Sequence, residues 1–267
     1  MIRTIVIGAA GRMGRRLVAN ILESSELRLV GATEFSGSPF LGQDAGVVAG
    51  CGPAGVEISA DLGPLLKEAD AVINFATGGV IENTRLAVEN NCAVVLGTTA
   101  LTEAERAELA ALASHGGRIV ASYNMSVGVN LLFKLVGEAA RILGPGYDCE
   151  IVEMHHNQKK DAPSGTAVRL AEVVCEERGW DYAADVRHGR QGLVGARTGH
   201  EIGMHSLRGG DVVGDHTVIF AVNGERIELS HKASSRDTFA KGALRAVEFL
   251  HQAGAGLYDM QDVLGLK

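Results

Sequence analysis

Aromatic side chains are scarce in this chain, 4% of 267 residues, too few to build the stacking platform on which single-stranded nucleic acid is held. Net positive charge is missing as well. The 25 Lys and Arg against 32 Asp and Glu leave −7 and a pI near 5.7, which speaks against general electrostatic attraction to nucleic acid or to an anionic membrane surface. Any anionic ligand has to be held locally. The four cysteines, Cys51, Cys92, Cys149 and Cys175, form no C-x-x-C pair, which removes zinc knuckles and dithiol redox motifs and leaves reduced, mostly buried thiols. No apolar run approaches the ~18 residues of a membrane span, and Met1 to Ile7 reads as a strand rather than a signal peptide. The expectation is a cytoplasmic protein with neither a membrane nor a nucleic-acid partner.

Glycine, by contrast, is in excess: 35 of 267 residues, about 13% against an ordinary ~7%. With no G-x-y period, the surplus belongs in turns and close backbone approaches. With 46% hydrophobic and 21% charged residues the chain is of globular composition, and its length suits one large domain or two modest ones of roughly 100 to 200 residues.

The first half alternates short apolar runs with helix-period stretches, the pattern of a parallel sheet. Strands are expected over Ile2–Ile7, Leu27–Thr33, Ala71–Ala76, Cys92–Leu96 and Arg118–Ser122. Met13, Leu17 and Ile21 recur every four positions and give the first helix one apolar face. Thr102 with Glu105 three residues on is a capping box for a helix over Ala104–Ala113. After Asn124 the character changes. A long helix over Val129–Leu143 stops at Gly144-Pro145-Gly146, and strands then predominate: Cys149–His155, Arg197–Leu207, Thr217–Val222 and Arg226–His231, the last two joined by the hairpin pair Asn223-Gly224. A helix over Thr166–Glu177 interrupts them. Asp237 is placed to cap a final helix carrying Phe239, Ala243, Val247 and Leu250 on one face, which resumes the α/β character. The layout is a nucleotide-type domain, residues 1–126 plus 236–267, interrupted by a substrate domain, residues 127–235, with a mixed or antiparallel sheet.

Two constellations carry chemistry. The first is Gly8-Ala9-Ala10-Gly11-Arg12-Met13-Gly14, between a strand and an amphipathic helix, where small residues let the backbone approach a pyrophosphate and the helix N-terminus faces it. Ala10 and Met13 depart from the G-x-G-x-x-G fingerprint, so the context rather than the string supports the reading; a plain tight turn is the alternative. Glu34, 20 positions past Gly14 at the end of the second strand, is where an acid accepts hydrogen bonds from an adenosine ribose. Gly97-Thr98-Thr99 and Tyr123-Asn124-Met125 fall at carboxyl ends of parallel strands and are expected to line the nicotinamide half.

The second is the run from Glu153 to Ala167, in which His155, His156, Lys159, Lys160 and Asp161 follow a strand and Ser164-Gly165-Thr166 opens a helix. A helix N-terminus offers N–H groups to a carboxylate, Ser164 can cap or contact it, and Gly165 permits close approach. Nearby His and Lys can supply a proton and fix a second anionic group. Against this, the two histidines point to opposite faces if the strand continues, and S-G-T can be a helix cap alone.

The run H-H-N-Q-K-K-D-A-P-S-G-T-A resembles the signature of the 4-hydroxy-tetrahydrodipicolinate (dihydrodipicolinate) reductase family of the diaminopimelate and lysine pathway. The resemblance spans essentially the whole chain: G-A-A-G-R-M-G at the start, G-T-T at Gly97, S-V-G-V-N from Ser126, Gly210-Asp211 with Gly214-Asp215-His216-Thr217, and H-K-A-S-S-R from His231. It implies a Rossmann-type parallel-sheet domain with an inserted α+β substrate and oligomerisation domain, in a homotetramer. It also implies His155 as catalytic acid/base, Lys159 as proton donor, His156 as a substrate contact and Gly165-Thr166 as the grip on a substrate carboxylate, with Gly8 to Met13 under the dinucleotide. The cofactor expected is NADH by preference, with NADPH usable, and the substrate is a cyclic dicarboxylate; no metal is required. Phe35 stands where several relatives carry Arg, and Tyr123 and Met125 where Ala and Phe are familiar; these departures bear on cofactor choice and nicotinamide packing, not on reaction class.

Rival classes fare worse. A short-chain dehydrogenase needs Tyr-x-x-x-Lys, and no tyrosine here has a lysine four residues on. A dinucleotide-sensing DNA regulator needs a basic recognition helix, and none is evident. A metal hydrolase built on His155 and His156 lacks a nearby carboxylate-rich ligand set.

Overall fold

Ile2–Ile7 (β1) is buried along nearly its whole length, as a strand inside a sheet covered on both faces has to be. The computed structural model describes residues 1–76, 78–98 and 101–267 and divides into two compact units, residues 1–127 with 236–267, and residues 128–235. The expected α/β architecture interrupted by an α+β segment is what the chain forms.

In the first unit β1 leads into α1 (Arg12–Leu22) and β2 (Leu27–Thr33); α2 (Ala45–Ala49), β3 (Ile58–Ser59) and α3 (Gly63–Leu66) follow. Then come β4 (Ala71–Asn74), α4 (Val80–Glu89), β5 (Ala93–Leu96), α5 (Glu103–Ser114) and β6 (Arg118–Ala121). All pairings are parallel, in the order β6-β5-β4-β1-β2-β3. The order reverses between β1 and β4, and open α/β sheets bind ligands at such a point, beyond the carboxyl ends of the strands. Alternation along β1 feeds two cores: Val6 packs with Leu17, Val18 and Ile21 of α1, and Ile5 and Ile7 with Val80, Ile81 and Leu109 of α4 and α5. Thr102 and Glu105 close the expected capping box. The short elements between residues 45 and 66 have no counterpart in the periodicity of the sequence, being too brief for a period to register.

The second unit takes up α6 (Val127–Leu143) from its second residue and runs through β7 (Asp148–His155), α7 (Gly165–Arg178), α8 (Tyr182–Asp185), β8 (Val186–His188), β9 (Ile202–Arg208), β10 (Gly214–Val222) and β11 (Glu225–Ala233). Its sheet, β11-β10-β7-β9-β8, is mixed: β10 is antiparallel to β11 and β7, while β7, β9 and β8 are parallel. Leu132, Phe133 and Val136 of α6 and Leu170 and Val174 of α7 cover one face of it. Val222 pairs with Glu225, so Asn223-Gly224 is the two-residue turn expected, with Gly224 at φ 100°. The strand expected from Arg197 begins only at Ile202. Arg197 instead reaches the side chains of Glu150 and Asp148 and the carbonyls of Cys149 and Glu201, contacts that hold the chain in an irregular path.

Chain residues 236–267 return to the first unit as α9 (Asp237–Gln252), β12 (Gly256–Tyr258), which adds to the sheet beside β6, and α10 (Met260–Leu264). Asp237 does not cap α9. Its carboxylate receives Arg16 Nε and Nη2 at 2.5 and 2.8 Å and Asn20 Nδ2 at 3.1 Å, a bidentate guanidinium pair that outcompetes the backbone amides and joins α9 to α1. Among the described residues no helix is long and apolar enough to cross a membrane.

α9 passes so close to residue 125 that a Cβ on Gly242 would lie 1.7 Å from the Met125 carbonyl oxygen. Ala ordinarily stabilises a helix interior by up to ~1 kcal/mol over Gly; here the clash reverses the sign. Gly242→Ala should lose at least about 2 kcal/mol, read as a lowered midpoint in thermal or denaturant unfolding, and an unchanged or raised midpoint would contradict this packing.

Candidate active site

β1 ends against a turn built for close approach. Gly8 sits at φ 74°, and its N–H and that of Ala9 donate to the Thr33 carbonyl at 2.9 and 3.0 Å. A Cβ on Gly14 would lie 2.0 Å from the Gly8 carbonyl oxygen, so only glycine lets α1 pack this tightly on the turn. The cap residue of α1, Gly11, has no side-chain hydrogen bond to offer, which leaves the first-turn amides directed at whatever anion lies beyond them. Arg12, Arg15 and Arg16 crowd the same end, where the helix dipole disfavours cations; an anion there would offset that cost. Arg16 is held by Asp237, Arg15 Nε donates to the Ala10 carbonyl at 2.8 Å, and Arg12 is exposed.

Glu34, just past β2, accepts from the Ala10 N–H at 2.9 Å through one carboxylate oxygen. A cavity of about 550 Å³ at the switch point is lined by Gly8, Gly11, Glu34, Phe35 and Phe75 among others. The Phe35 ring is 69% exposed. Gly97 cannot be replaced without moving Phe75, whose ring would lie 2.2 Å from a Cβ there. Asn74 is buried, its Oδ1 accepting from the Ala76 N–H and its Nδ2 without a hydrogen-bond partner among the described residues. These features fit a dinucleotide: amides and arginines for its phosphates, an acid for a ribose, a ring and a cavity for a base. Thr98 is half-buried, and Thr99 lies outside the described residues. Tyr123 is stacked under the Arg106 guanidinium at 4.9 Å, and Asn124 Oδ1 accepts from the Ser126 N–H. Met125 and Ala9 are buried in the core, so only their backbone is available to a ligand; Ala10 and Met13 are half-buried.

In the second unit, Glu153 and His155 share a face of β7, two residues apart. Opposite them in register stand His216 of β10, across from Glu153, and Arg208 of β9, across from His155. The Glu153 carboxylate, fully buried, lies 2.6 Å from His155 Nδ1, receives Arg208 Nη1 and Nη2 at 2.9 and 3.0 Å, and accepts the Ser164 N–H at 3.2 Å. Arg208 Nη2 also donates to the Asp161 carbonyl at 2.7 Å, fastening the loop that follows β7. In that loop His156 is half-buried, and Lys159 Nζ is held by both oxygens of Asp161, at 2.8 and 2.9 Å. Ser164 caps α7: its hydroxyl accepts from the Ala167 N–H at 3.2 Å and pairs with His216 Nε2 at 2.9 Å. Its side chain is therefore spent inside the protein, while Gly165 beside it is exposed and Thr166 is buried.

Burial alone would push the Glu153 carboxyl up, but the bonds from His155, Arg208 and Ser206 outweigh it and hold it at about 2. His216 goes the other way from its ordinary value. Burial, then the nearby His155, push it down to about 3, so it is a neutral imidazole whose ring stands edge-on to His155 at 5.2 Å. Glu153, Arg208 and His216 were not assigned roles from sequence. An acid at an inward position of an apolar strand is a signal for the first; the other two become partners only through cross-strand register. Among the described residues no group of three or more His, Cys, Asp or Glu is placed to hold a metal ion.

A glycine turn opening an uncapped helix and an acid at the end of the next strand, on a parallel sheet, are the parts of a Rossmann-type dehydrogenase, which uses a nicotinamide cofactor. Comparison with known proteins narrows this. Family models described as dihydrodipicolinate reductase, N-terminus and C-terminus, match residues 2–125 and 128–264. A 4-hydroxy-tetrahydrodipicolinate reductase of Syntrophotalea carbinolica is 53% identical over the full length of both chains, and one of Geotalea daltonii is 48% identical over the same span. Among solved structures, a dipicolinate-bound dihydrodipicolinate reductase from Paenisporosarcina sp. TG-14 is similar with a TM-score of 0.77 at 26% identity, covering 98% of each chain. The chain belongs to the dihydrodipicolinate reductase family.

The buried His216 predicts how stability depends on pH. The unfolded chain takes up this proton near pH 6.5 and the folded chain only near 3, so stability falls as pH drops from about 6.5 toward 3. Glu153 adds its own loss only below its ordinary value of 4.5. Denaturant unfolding at a series of pH values should show His216→Asn with a flatter slope than wild type between about pH 6.5 and 4.5. His231, shifted the same way by burial, leaves a residual slope in both. Identical slopes would contradict a neutral buried His216.

Proposed function

We propose that the chain reduces 4-hydroxy-tetrahydrodipicolinate to tetrahydrodipicolinate with loss of water, in diaminopimelate and lysine biosynthesis, as a cytoplasmic homotetramer that prefers NADH. One arrangement carries the reading. Glu153 is bonded both to the Ser164 N–H at the mouth of α7 and to the ring of His155, which ties an anion-binding helix terminus and a proton-transfer imidazole to one carboxylate.

The residues divide as follows. Gly165 and Thr166 at the start of α7 take a substrate carboxylate, with His156 as a further contact; Ser164 serves by holding the helix start in place. The substrate loses its 4-hydroxyl and a proton as water. Gly8 to Met13, Gly97, Thr98, Tyr123, Asn124 and Met125, with Thr99 outside the described residues, would hold the reduced nicotinamide dinucleotide, which would supply the hydride. The carbanion-like enamine that develops needs a proton from a cationic donor, and His155 and Lys159 are the proton carriers. Asp161, paired to Lys159, keeps that ammonium against the loop.

Nicotinamide absorbance in the presence of freshly generated 4-hydroxy-tetrahydrodipicolinate tests the reading. Wild type should oxidise NADH, Lys159→Ala should lose on the order of 10²-fold to 10⁴-fold in turnover with little change in NADH affinity, and Thr166→Val should weaken pyridine-2,6-dicarboxylate by about 1 to 3 kcal/mol. Silence of the wild type with both NADH and NADPH would sink the proposal.

Cofactor preference follows from the adenosine end. Glu34 already gives one oxygen to the Ala10 N–H, and the other can take a ribose hydroxyl, whereas a 2′-phosphate would set like charge against it. Phe35 supplies no cation, and exposed Arg12 relieves the repulsion in part. The expected outcome is roughly a tenfold advantage of NADH in kcat/KM, equivalent to about 1.4 kcal/mol, narrowed by Phe35→Arg. Equal or better efficiency with NADPH would contradict this placement of Glu34.

A further inference from the structure

We infer that Glu153, clamped by Arg208, is a positioning residue that keeps a proton on Nδ1 of His155 and thereby makes Nε2 the atom that exchanges protons with the substrate; this rests on the reading of His155 as acid/base given above. The argument begins with what each partner can donate. An ionised carboxylate has no proton to give, so the 2.6 Å contact between Glu153 Oε2 and His155 Nδ1 requires the hydrogen to sit on the ring nitrogen. Two further bonds from Arg208 and one from the Ser164 N–H occupy the same carboxylate, so it is held ionised and cannot turn away. The imidazole then has one nitrogen left for chemistry. Nε2 faces the start of β10, where a Cβ on Gly214 would come within 3.0 Å of it, so glycine at 214 leaves room beside that nitrogen. His216, neutral and edge-on, adds no competing charge.

The clamp has a further consequence for substitution. In Glu153→Gln the amide oxygen would be drawn to the Arg208 guanidinium, which can only donate, and the amide NH₂ would be left facing Nδ1. The neutral ring would then carry its proton on Nε2, the wrong atom. The comparable loss elsewhere, an acid-to-amide change behind a catalytic histidine, costs about 10⁴-fold.

Nitrogen NMR of the full chain labelled in histidine, with His155→Asn to assign the signal, reads the proton directly. The neutral wild-type ring should show a protonated Nδ1 and an unprotonated Nε2, and Glu153→Gln should reverse them. In the reductase assay Glu153→Gln should lose at least about 10²-fold in kcat with substrate KM within about threefold, and Glu153→Asp, which keeps the charge, should recover part of that loss. A wild-type ring protonated on Nε2 overturns the inference, and this measurement needs no variant at position 153 to fold. So does an active wild type whose Glu153→Gln variant keeps its rate. If the wild type is inactive on this substrate, the proposed reaction falls instead, and the nitrogen shifts still decide where the proton sits.

Discussion

A carboxylate with no exposed surface is expensive unless every lone pair is answered, and Glu153 is answered from three directions: β9 through Arg208, the edge of α7 through the Ser164 N–H, and its own strand through His155. Removing any one donor would leave a buried charge partly unpaired. The strand, the loop after it and the helix that opens at Gly165 are therefore held in a single arrangement by one side chain. The neutral His216 belongs to the same economy: it accepts burial by giving up its proton, and Ser164 serves both it and the helix cap.

The first unit solves a related problem without a buried charge. An acidic chain gathers Arg12, Arg15 and Arg16 and a helix terminus without a side-chain cap at one turn, and uses glycine at 8 and 14 where any side chain would strike the backbone or strain it. The two helix termini differ: α7 is capped by the Ser164 side chain, whereas α1 has no side-chain cap at Gly11.

Much of this was readable in the residues, and for identifiable reasons. The parallel strands, the first helix, the capping box at Thr102 and the turn at Asn223-Gly224 each carry a local signal: an apolar run, a period, a paired cap, a dipeptide that accepts positive φ. The two chemical runs stand out because their residues are contiguous. What escaped depends on contacts distant in sequence. Asp237 has the look of a cap, but Arg16, some 220 positions earlier, claims its carboxylate. Arg197 looks like the start of a strand until its side chain is seen spanning the end of β7. Arg208 meets Glu153 only because β9 lies parallel to β7 in one particular register, and a single sequence does not state register.

The Asp237–Arg16 contact also bears on how the chain is made. Residues 128–235 are contiguous and carry their own core, so a nascent chain emerging from a ribosome holds everything that unit needs before α9 exists. The first unit is different. Its sheet lacks an edge strand, and α1 lacks the helix that packs beside it, until residues 236–267 have been translated. Domains that are complete early fold early during synthesis, and contacts between distant residues are slow to close. The inserted unit is thus the one ready to fold first, and the glycine turn that opens the chain waits for the last residues to secure the helix behind it.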